Sequence, residues 1–135
     1  MILSSAMAFR FRQFKVYKDA KLFRKSVHDL LRKFPSSEKY KLTDQIERAC
    51  NSILLNIAEG CSRRSDMDFA RFLETSSGSV NEVVAGFDAA LDDGIINEED
   101  FDVIEKKAKN IVNQLGGFAR SLRRKPKDNV VSCKL

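Results

Sequence analysis

The chain has 135 residues, of which 43% are hydrophobic and 32% are charged, and its net charge is +5. This size and composition fit one globular domain with its own core and argue against a disordered chain. The three cysteines form no C-x-x-C pair, which predicts a protein of the reducing cytoplasm without a disulfide framework. No run reaches about 18 apolar residues, so no membrane span is predicted.

The first predicted helix covers about residues 13–33. Its apolar residues recur every three or four positions, and Pro35 ends it because proline disfavours helical geometry in the residue before it. Residues 1–12 are interpreted as a flexible leader. Three phenylalanines around the start of the helix alternate with basic residues, and they either stack on nucleic-acid bases or, as we favour, pack as a lid over the end of the fold. They are Phe9, Phe11 and Phe14.

The second predicted helix covers residues 42–60 (LTDQIERACNSILLNIAEG), and Gly60 is expected to end it as a left-handed cap. Polar residues at three- and four-residue steps form a stripe along this helix. We call this stripe, together with its expected partners on the third helix, the polar seam. We favour hydrogen bonding between helices or subunits over a ligand site, because an unsatisfied buried polar group costs about 1–3 kcal/mol. The polar seam comprises Gln45, Arg48, Ser52, Asn56, Glu59, Gly60, Gly78, Ser79 and Glu82. Within it, Glu82 is expected to meet Arg48 across the bundle.

The third predicted helix is capped by Ser65 and runs to about Asp92. At its centre, residues 75–79 (TSSGS) are poor helix formers, and such a run fits best where another backbone comes close.

An Asp-Gly turn at residues 93–94 leads to the fourth helix, which Asn97 caps and which runs to about Lys125. Residues 126–135 are interpreted as a flexible tail. Four long helices with short turns, and no stretch that alternates at period two, predict an all-α fold. The expected architecture is an antiparallel up-down four-helix bundle over residues 13–125.

Charge is distributed unevenly along the chain. Residues 1–41 hold 11 basic and 3 acidic side chains, residues 42–119 hold 7 and 15, and residues 120–135 hold 6 and 1. An up-down bundle brings the start of the first helix, the second turn and the end of the fourth helix to one end, which we call the basic pole. The basic pole comprises Arg10, Arg12, Lys15, Lys18, Arg63, Arg64, Arg120, Arg123, Arg124, Lys125 and Lys127. The opposite end, the acidic pole, comprises Asp92, Asp93, Glu98, Glu99, Asp100 and Asp102.

Two interpretations of this charge pattern stand side by side. Helix macrodipoles favour cations at the end of the fourth helix and acids at its start. They do not explain Arg10, Arg12 and Lys15, which lie at the start of a helix. Three basic segments at one end therefore indicate an anionic partner, RNA or DNA, bound through phosphates rather than base edges.

Catalytic and metal sites find little support in the sequence. The single histidine, His28, is expected at the surface or boundary of the first helix. Paired Glu-x-x-His motifs, a P-loop, a dinucleotide-binding fingerprint and a G-x-S-x-G motif are all missing from the sequence. We predict no enzymatic activity, no cofactor and no metal.

Four motifs of the chain form a recognisable set. They are FKVYKDA in the first helix, FP followed by EKYKL in the connector, QIERACNSILLNIAEG in the second helix and FARFLETSSGSVNE in the third. They resemble the motifs of the 23S rRNA-intervening sequence proteins, a family of four-helix bundles. The likeness spans about residues 11–125 and keeps the N-I-A-E-G and G-S-x-x-E signatures. It departs at Cys50 and Asn51, where small apolar residues are more usual.

The resemblance implies a small bacterial protein of a family with no accepted catalytic residues. This family is similar to the accessory protein of diversity-generating retroelements, which forms a ring-like pentamer, binds nucleic acid at a basic surface and partners a reverse transcriptase. A homo-oligomer, a pentamer by this likeness, is therefore expected, with RNA or DNA and a reverse transcriptase-like or other protein as partners. The alternative is a protein-interaction adaptor that does not bind nucleic acid.

Overall fold

The segments whose apolar residues recur every three or four positions form α-helices. The structure is a computed structural model, and it describes residues 8–38 and 41–124. In this part of the chain the helices are α1 (Lys15–Leu31), α2 (Leu42–Cys61), α3 (Asp66–Asp92) and α4 (Glu98–Arg124). Short 3-10 turns lie at Arg10–Gln13 and Ser36–Glu38, and the described residues form no strand. The predicted all-α class is confirmed.

The helices pack in a ring around one core. α1 packs against α2 and α4, and α3 packs against the same two helices. Short connections make successive helices antiparallel, so the predicted up-down bundle is confirmed. The largest fully buried side chains include Phe14, Phe23, Phe69 and Phe87. Within the described residues, no helix has the length and apolar character needed to cross a membrane.

The caps expected from the sequence define the turns at both ends of the bundle. Ser65 Oγ accepts a hydrogen bond from the Asp68 backbone N–H at 3.1 Å, and Asn97 Oδ1 accepts one from the Asp100 N–H at 2.8 Å. Gly94 has a φ of +74°, the left-handed geometry that an Asp-Gly turn requires. These turns determine where the charges of each pole lie.

Gly60 does not cap α2 in a left-handed conformation, and that prediction is wrong. The helix continues past it, and Ser62 follows with a right-handed φ of −84°. Gly60 is instead buried where α2 and α3 approach closely. A Cβ atom at this position would lie 2.7 Å from the Phe72 Cβ and 2.8 Å from the Phe69 Cδ1.

The prediction that another backbone comes close to the centre of α3 is wrong for Gly78, the glycine of that run. Gly78 is exposed, and a Cβ added there would meet nothing within 4 Å. The tight contact lies at Gly86, where a Cβ would come within 2.5 Å of the Ile46 Cγ1. Ser76, in the same serine-rich run, is buried and donates a hydrogen bond to the Ile53 carbonyl of α2 at 2.8 Å.

The two predicted flexible segments fall largely outside the described residues. Of the predicted leader, residues 1–7 are not described, and Arg10–Gln13 forms a 3-10 turn that leads into α1. Lys125 and the predicted tail, residues 126–135, also lie outside the described residues.

Candidate nucleic-acid interface

Three aromatic rings from separate segments hold the basic pole together. Phe14 directly precedes α1, Phe69 lies in the first turn of α3, and Phe118 lies near the end of α4. The ring centroids are 6.1 Å apart for Phe14 and Phe69, 5.3 Å for Phe14 and Phe118, and 5.1 Å for Phe69 and Phe118. The three basic segments therefore lie at one end of the bundle.

The other two phenylalanines near the start of α1 differ in exposure. Phe11 is half-buried and meets the Tyr17 ring edge-on, with centroids 4.9 Å apart. Phe9 is 70% exposed. Phe14 and Phe11 thus form the lid that we favoured, and Phe9 leaves its ring at the surface.

Some cations of the basic pole already have acidic partners. The hydrogen bond from Arg123 lowers the pKa of Glu74, and the same bond raises the pKa of Arg123, so this pair stays charged. A cation with a carboxylate partner offers less charge to a phosphate. The pairs are Lys15 with Asp19 at 2.6 Å, Arg123 with Glu74 at 2.6 Å, and Arg63 with Glu59.

Other cations of the basic pole make no ion pair with any described residue. Arg10 is half-buried, and the remaining members of this group are exposed. Because no carboxylate competes for them, they carry the charge that a phosphate backbone would meet. The group comprises Arg10, Arg12, Lys18, Arg64, Arg120 and Arg124.

The carboxylate of Asp19 makes stability depend on pH. It accepts hydrogen bonds from Lys15 Nζ at 2.6 Å and from Gln114 Nε2 of α4 at 2.7 Å. The Lys15 bond first, and the Gln114 bond second, lower the pKa of Asp19 from its ordinary 3.8. Because the folded-state pKa is depressed, the stabilisation is complete above the ordinary pKa and is lost as the pH falls through the folded-state pKa.

We expect Asp19→Asn to lower the free energy of unfolding at neutral pH by a few tenths to about 1 kcal/mol. The effect is small because the Lys15 side chain is 75% exposed and water screens the pair. The difference from the wild type should shrink towards zero as the pH falls from neutral through the depressed folded-state pKa of Asp19, because its side chain then becomes neutral like that of asparagine. Urea denaturation of both proteins across this pH range measures it, and a difference that stays constant would contradict the assignment.

Three further cations of α1 extend the positively charged surface of the basic pole, and the sequence analysis did not assign them to a site. They are Lys21, Arg24 and Lys25. They line a groove of about 710 Å³ between α1 and α2, which we call the α1–α2 groove. The three- and four-residue spacing from Lys18 to Lys25 signals a shared helix face. The groove itself depends on the separation of two helices, which periodicity does not give. Its lining comprises Arg12, Gln13, Tyr17, Lys18, Lys21, Leu22, Arg24, Lys25 and Leu54.

The centre of the polar seam is a hydrogen-bonded link between α2 and α3. Asn56 Nδ2 donates to the Ser52 Oγ at 2.9 Å and to the Ser52 carbonyl at 2.8 Å. Ser79 Oγ donates to the Ser52 Oγ at 2.9 Å. Ser79 is buried, and the other two residues are half-buried. The polar groups are therefore satisfied within one chain.

The margin of the polar seam faces solvent. Arg48 and Glu82 make no ion pair with each other or with any other described residue, so the pairing expected between them is absent. Leu55, which shares the outer face of α2 with Arg48, is 67% exposed. The structure thus leaves charged and apolar groups without partners on this face. The exposed members are Gln45, Arg48, Glu59, Gly78 and Glu82.

Groups with chemical reactivity are few in the described part of the chain. His28 lies half-buried at the boundary of α1, and its Nε2 is 3.7 Å from the Glu47 Oε2. Burial raises the pKa of the Cys50 thiol to about 11, which keeps it protonated at neutral pH. The described residues contain no group of three or more His, Cys, Asp or Glu side chains that could hold a metal ion.

Comparison with known proteins agrees with this fold. The family model described as 23S rRNA-intervening sequence protein matches residues 12–117. The chain is also similar to the crystal structure of a protein with unknown function from the S23 ribosomal protein family of Bacteroides thetaiotaomicron. The TM-score is 0.71 at 22% sequence identity, over 78% of this chain and 98% of that chain. No curated protein matches the chain.

Proposed function

The chain belongs to the 23S rRNA-intervening sequence protein family, and from this premise and the charge of its basic pole we propose that it is a non-enzymatic protein that binds RNA or DNA. The observation that carries the proposal is the convergence of unpaired cations from three segments at one end of the bundle. Arg12 precedes α1, Arg64 lies between α2 and α3, and Arg120 and Arg124 end α4.

Phosphates are the groups that this surface suits. Exposed arginines bind phosphate oxygens with two parallel N–H donors, and such contacts depend on charge rather than on base sequence. The acidic pole at the other end of the bundle would repel a polyanion, so the molecule has one favourable orientation. Binding of this kind is strongly weakened by salt, because each phosphate contact releases counterions.

The proposal includes a homo-oligomer, which the family resemblance makes a ring-like pentamer. The outer faces of α2 and α3 support it, because the exposed Leu55 and the unpaired Arg48 of α2 and Glu82 of α3 offer apolar and charged groups to a second copy. A ring would repeat the basic pole in every subunit, so weak contacts would add up along one nucleic acid. A reverse transcriptase-like or other protein partner would then meet the nucleic acid on this oligomer.

A salt series tests the proposal on protein whose mass has been measured by light scattering. The ligands are a structured fragment of ribosomal RNA and a duplex DNA, and electrophoretic mobility shift reports binding from about 50 to 200 mM KCl. Four to six phosphate contacts should weaken binding by about 100-fold to 2,000-fold over this range. Absence of binding at the lowest salt, from a well-formed oligomer, would contradict the proposal.

The second candidate function is a protein-interaction adaptor, and the acidic pole favours it. Most of this pole is exposed, and Asp100 forms an ion pair with Lys33 at 3.6 Å. If the acidic pole of one subunit covered the basic pole of the next, a nucleic acid would have no open surface. The salt series separates the two functions, since binding at low salt requires an uncovered basic pole.

A further inference from the structure

The α1–α2 groove begins at the basic pole and continues along the bundle. Arg12 lines it at the pole, and Lys25 lines it further along α1, about 15 Å from the start of that helix. Most of the α1 residues that line it are exposed, so a ligand can reach the groove from solvent.

The cations of the groove are available for a ligand. Lys18, Lys21 and Lys25 are exposed, and none of them forms an ion pair with a described residue. The Lys21 Nζ lies over the Tyr17 ring, 5.9 Å from its centroid, so this exposed side chain would move aside when a base packs on the ring. Arg24 is half-buried and bridges the two helices, because its Nε donates to the Asn51 Oδ1 at 2.8 Å. This bond orients the guanidinium and leaves its terminal nitrogens for a phosphate.

Apolar and aromatic surface lies between these cations. The Tyr17 ring is held edge-on by Phe11 at an interplanar angle of 74°. Leu22 is 63% exposed, and Leu54 is half-buried on the α2 side. An oriented aromatic ring beside apolar groups and a row of cations is the combination that stacks bases and follows a phosphate backbone in single-strand binding proteins.

We propose that the α1–α2 groove binds unpaired nucleotides of single-stranded RNA or DNA. The phosphates contact Lys18, Lys21 and Lys25, and a base packs on Tyr17 and Leu22. This inference rests on the proposed function and adds the state of the nucleic acid that the protein prefers. A duplex keeps its bases paired and stacked inside, so it would have to flip a base out before Tyr17 could contact it.

A nucleic acid suits the groove better than an acidic peptide does. The lysines from Lys18 to Lys25 extend over about 10 Å of helix, and a nucleic acid presents one negative charge per nucleotide along such a row. Every base also brings a flat π-face for Tyr17, whereas the carboxylate side chains of an acidic peptide supply only charge. The cations and the ring are therefore both used by one ligand.

The test measures fluorescence anisotropy with labelled oligo(U), oligo(dT) and a dA·dT duplex, each of about 16 units, in about 0.1 M KCl. Leu22→Glu places a carboxylate in the groove at an exposed position, so the fold is retained. We expect it to weaken single-strand binding at least about tenfold and duplex binding far less. The matched control is Val103→Glu, at a 51% exposed position on α4 outside the groove, and it should bind as the wild type does.

Tyr17 variants separate stacking from charge. Tyr17→Leu keeps an apolar side chain but removes the ring, and it should weaken single-strand binding about tenfold. Tyr17→Phe keeps the ring and should bind normally. Circular dichroism checks that both variants remain folded.

Several outcomes would overturn the inference. Equal affinity for single strand and duplex would do so, as would a Leu22→Glu variant that behaves like Val103→Glu. In both cases duplex binding through Arg120 and Arg124 would persist, so the proposed function would stand without the groove. If the wild-type protein bound no nucleic acid at all, both proposals would be contradicted. A labelled polyglutamate peptide that binds more tightly than the oligonucleotides, and is lost in Leu22→Glu, would assign the groove to an acidic protein partner.

The comparison of oligo(U) with oligo(dT) shows whether the groove prefers RNA or DNA. Equal affinity for oligo(U) and oligo(dT) supports recognition through the phosphates and stacked bases that RNA and DNA share. Tighter binding of oligo(U) supports RNA, whose 2′-hydroxyl groups would add hydrogen bonds.

Discussion

Reversing the charge of Arg64, Arg120 and Arg124 to glutamate will weaken nucleic-acid binding by at least about 100-fold at roughly 0.1 M salt. Each phosphate contact that depends on counterion release contributes a factor of about 6 at this salt concentration, so three lost contacts multiply to more than 100. The three side chains are exposed and have no acidic partner among the described residues. The slope of log affinity against log salt should also become shallower, by about 2 to 3.

The control reverses an equal number of charges elsewhere on the bundle. Lys106, Lys107 and Lys109 are exposed on α4, outside the basic pole. Changing them to glutamate gives the same net charge and should leave binding within a few-fold of the wild type. An equal loss in both triple variants would show that only total charge matters and that the basic pole is not the binding surface.

A single change at Arg123 refines the same experiment. Its guanidinium is held by Glu74, so Arg123→Gln should cost less affinity than Arg124→Gln does. The two residues are neighbours at the end of α4, and the carboxylate partner is the main difference between their surroundings. Equal losses would mean that Glu74 releases Arg123 when nucleic acid binds.

The turns between α2 and α3 and between α3 and α4 could be predicted because each has a local chemical signal. Ser65 and Asn97 cap helices through a backbone N–H three residues away, and the Asp-Gly turn at residues 93–94 needs only a positive φ. Such signals depend on a few neighbouring residues, and a sequence shows them directly. Antiparallel packing then follows from the short turns.

The details of the charged surface depend on contacts between distant parts of the chain. Nothing near Arg123 in the sequence reveals that Glu74 holds it, and nothing near Arg24 reveals the hydrogen bond to Asn51. Sequence reasoning therefore found the end of the bundle where the cations gather. It did not distinguish paired from unpaired cations, and it did not find the α1–α2 groove.

Glycines show the same division between local and distant causes. A glycine near the end of a periodic segment suggests a cap, and this local reasoning was wrong for Gly60. The reason for Gly60 lies on α3, in the side chains of Phe69 and Phe72. Gly78 has no such neighbour, although the run around it suggested one. Substituting each by alanine should therefore change stability in opposite directions.

Gly60→Ala should lower the free energy of unfolding by about 1–2 kcal/mol. The new methyl group would lie 2.7 Å from the Phe72 Cβ, an atom fixed to its own backbone, so α2 and α3 would have to move apart. Overpacking of this kind costs about 1–3 kcal/mol, and the better helix propensity of alanine offsets up to about 1 kcal/mol of it. Phe69 cannot turn aside easily, because it packs between Phe14 and Phe118.

Gly78→Ala makes the same chemical change on an exposed helix face, where the added methyl group meets nothing within 4 Å. Only the propensity gain remains, so this variant should be more stable than the wild type by about 0.5–1 kcal/mol. Urea denaturation at one protein concentration compares all three proteins, since the stability of an oligomer depends on concentration. A destabilised Gly78→Ala would mean that a second copy of the chain covers this face of α3. A Gly60→Ala variant as stable as the wild type would mean that α2 and α3 move apart without a loss of stability. The basic pole, which is built on the junction of these helices, would then be less rigid than the packing of Phe14, Phe69 and Phe118 indicates.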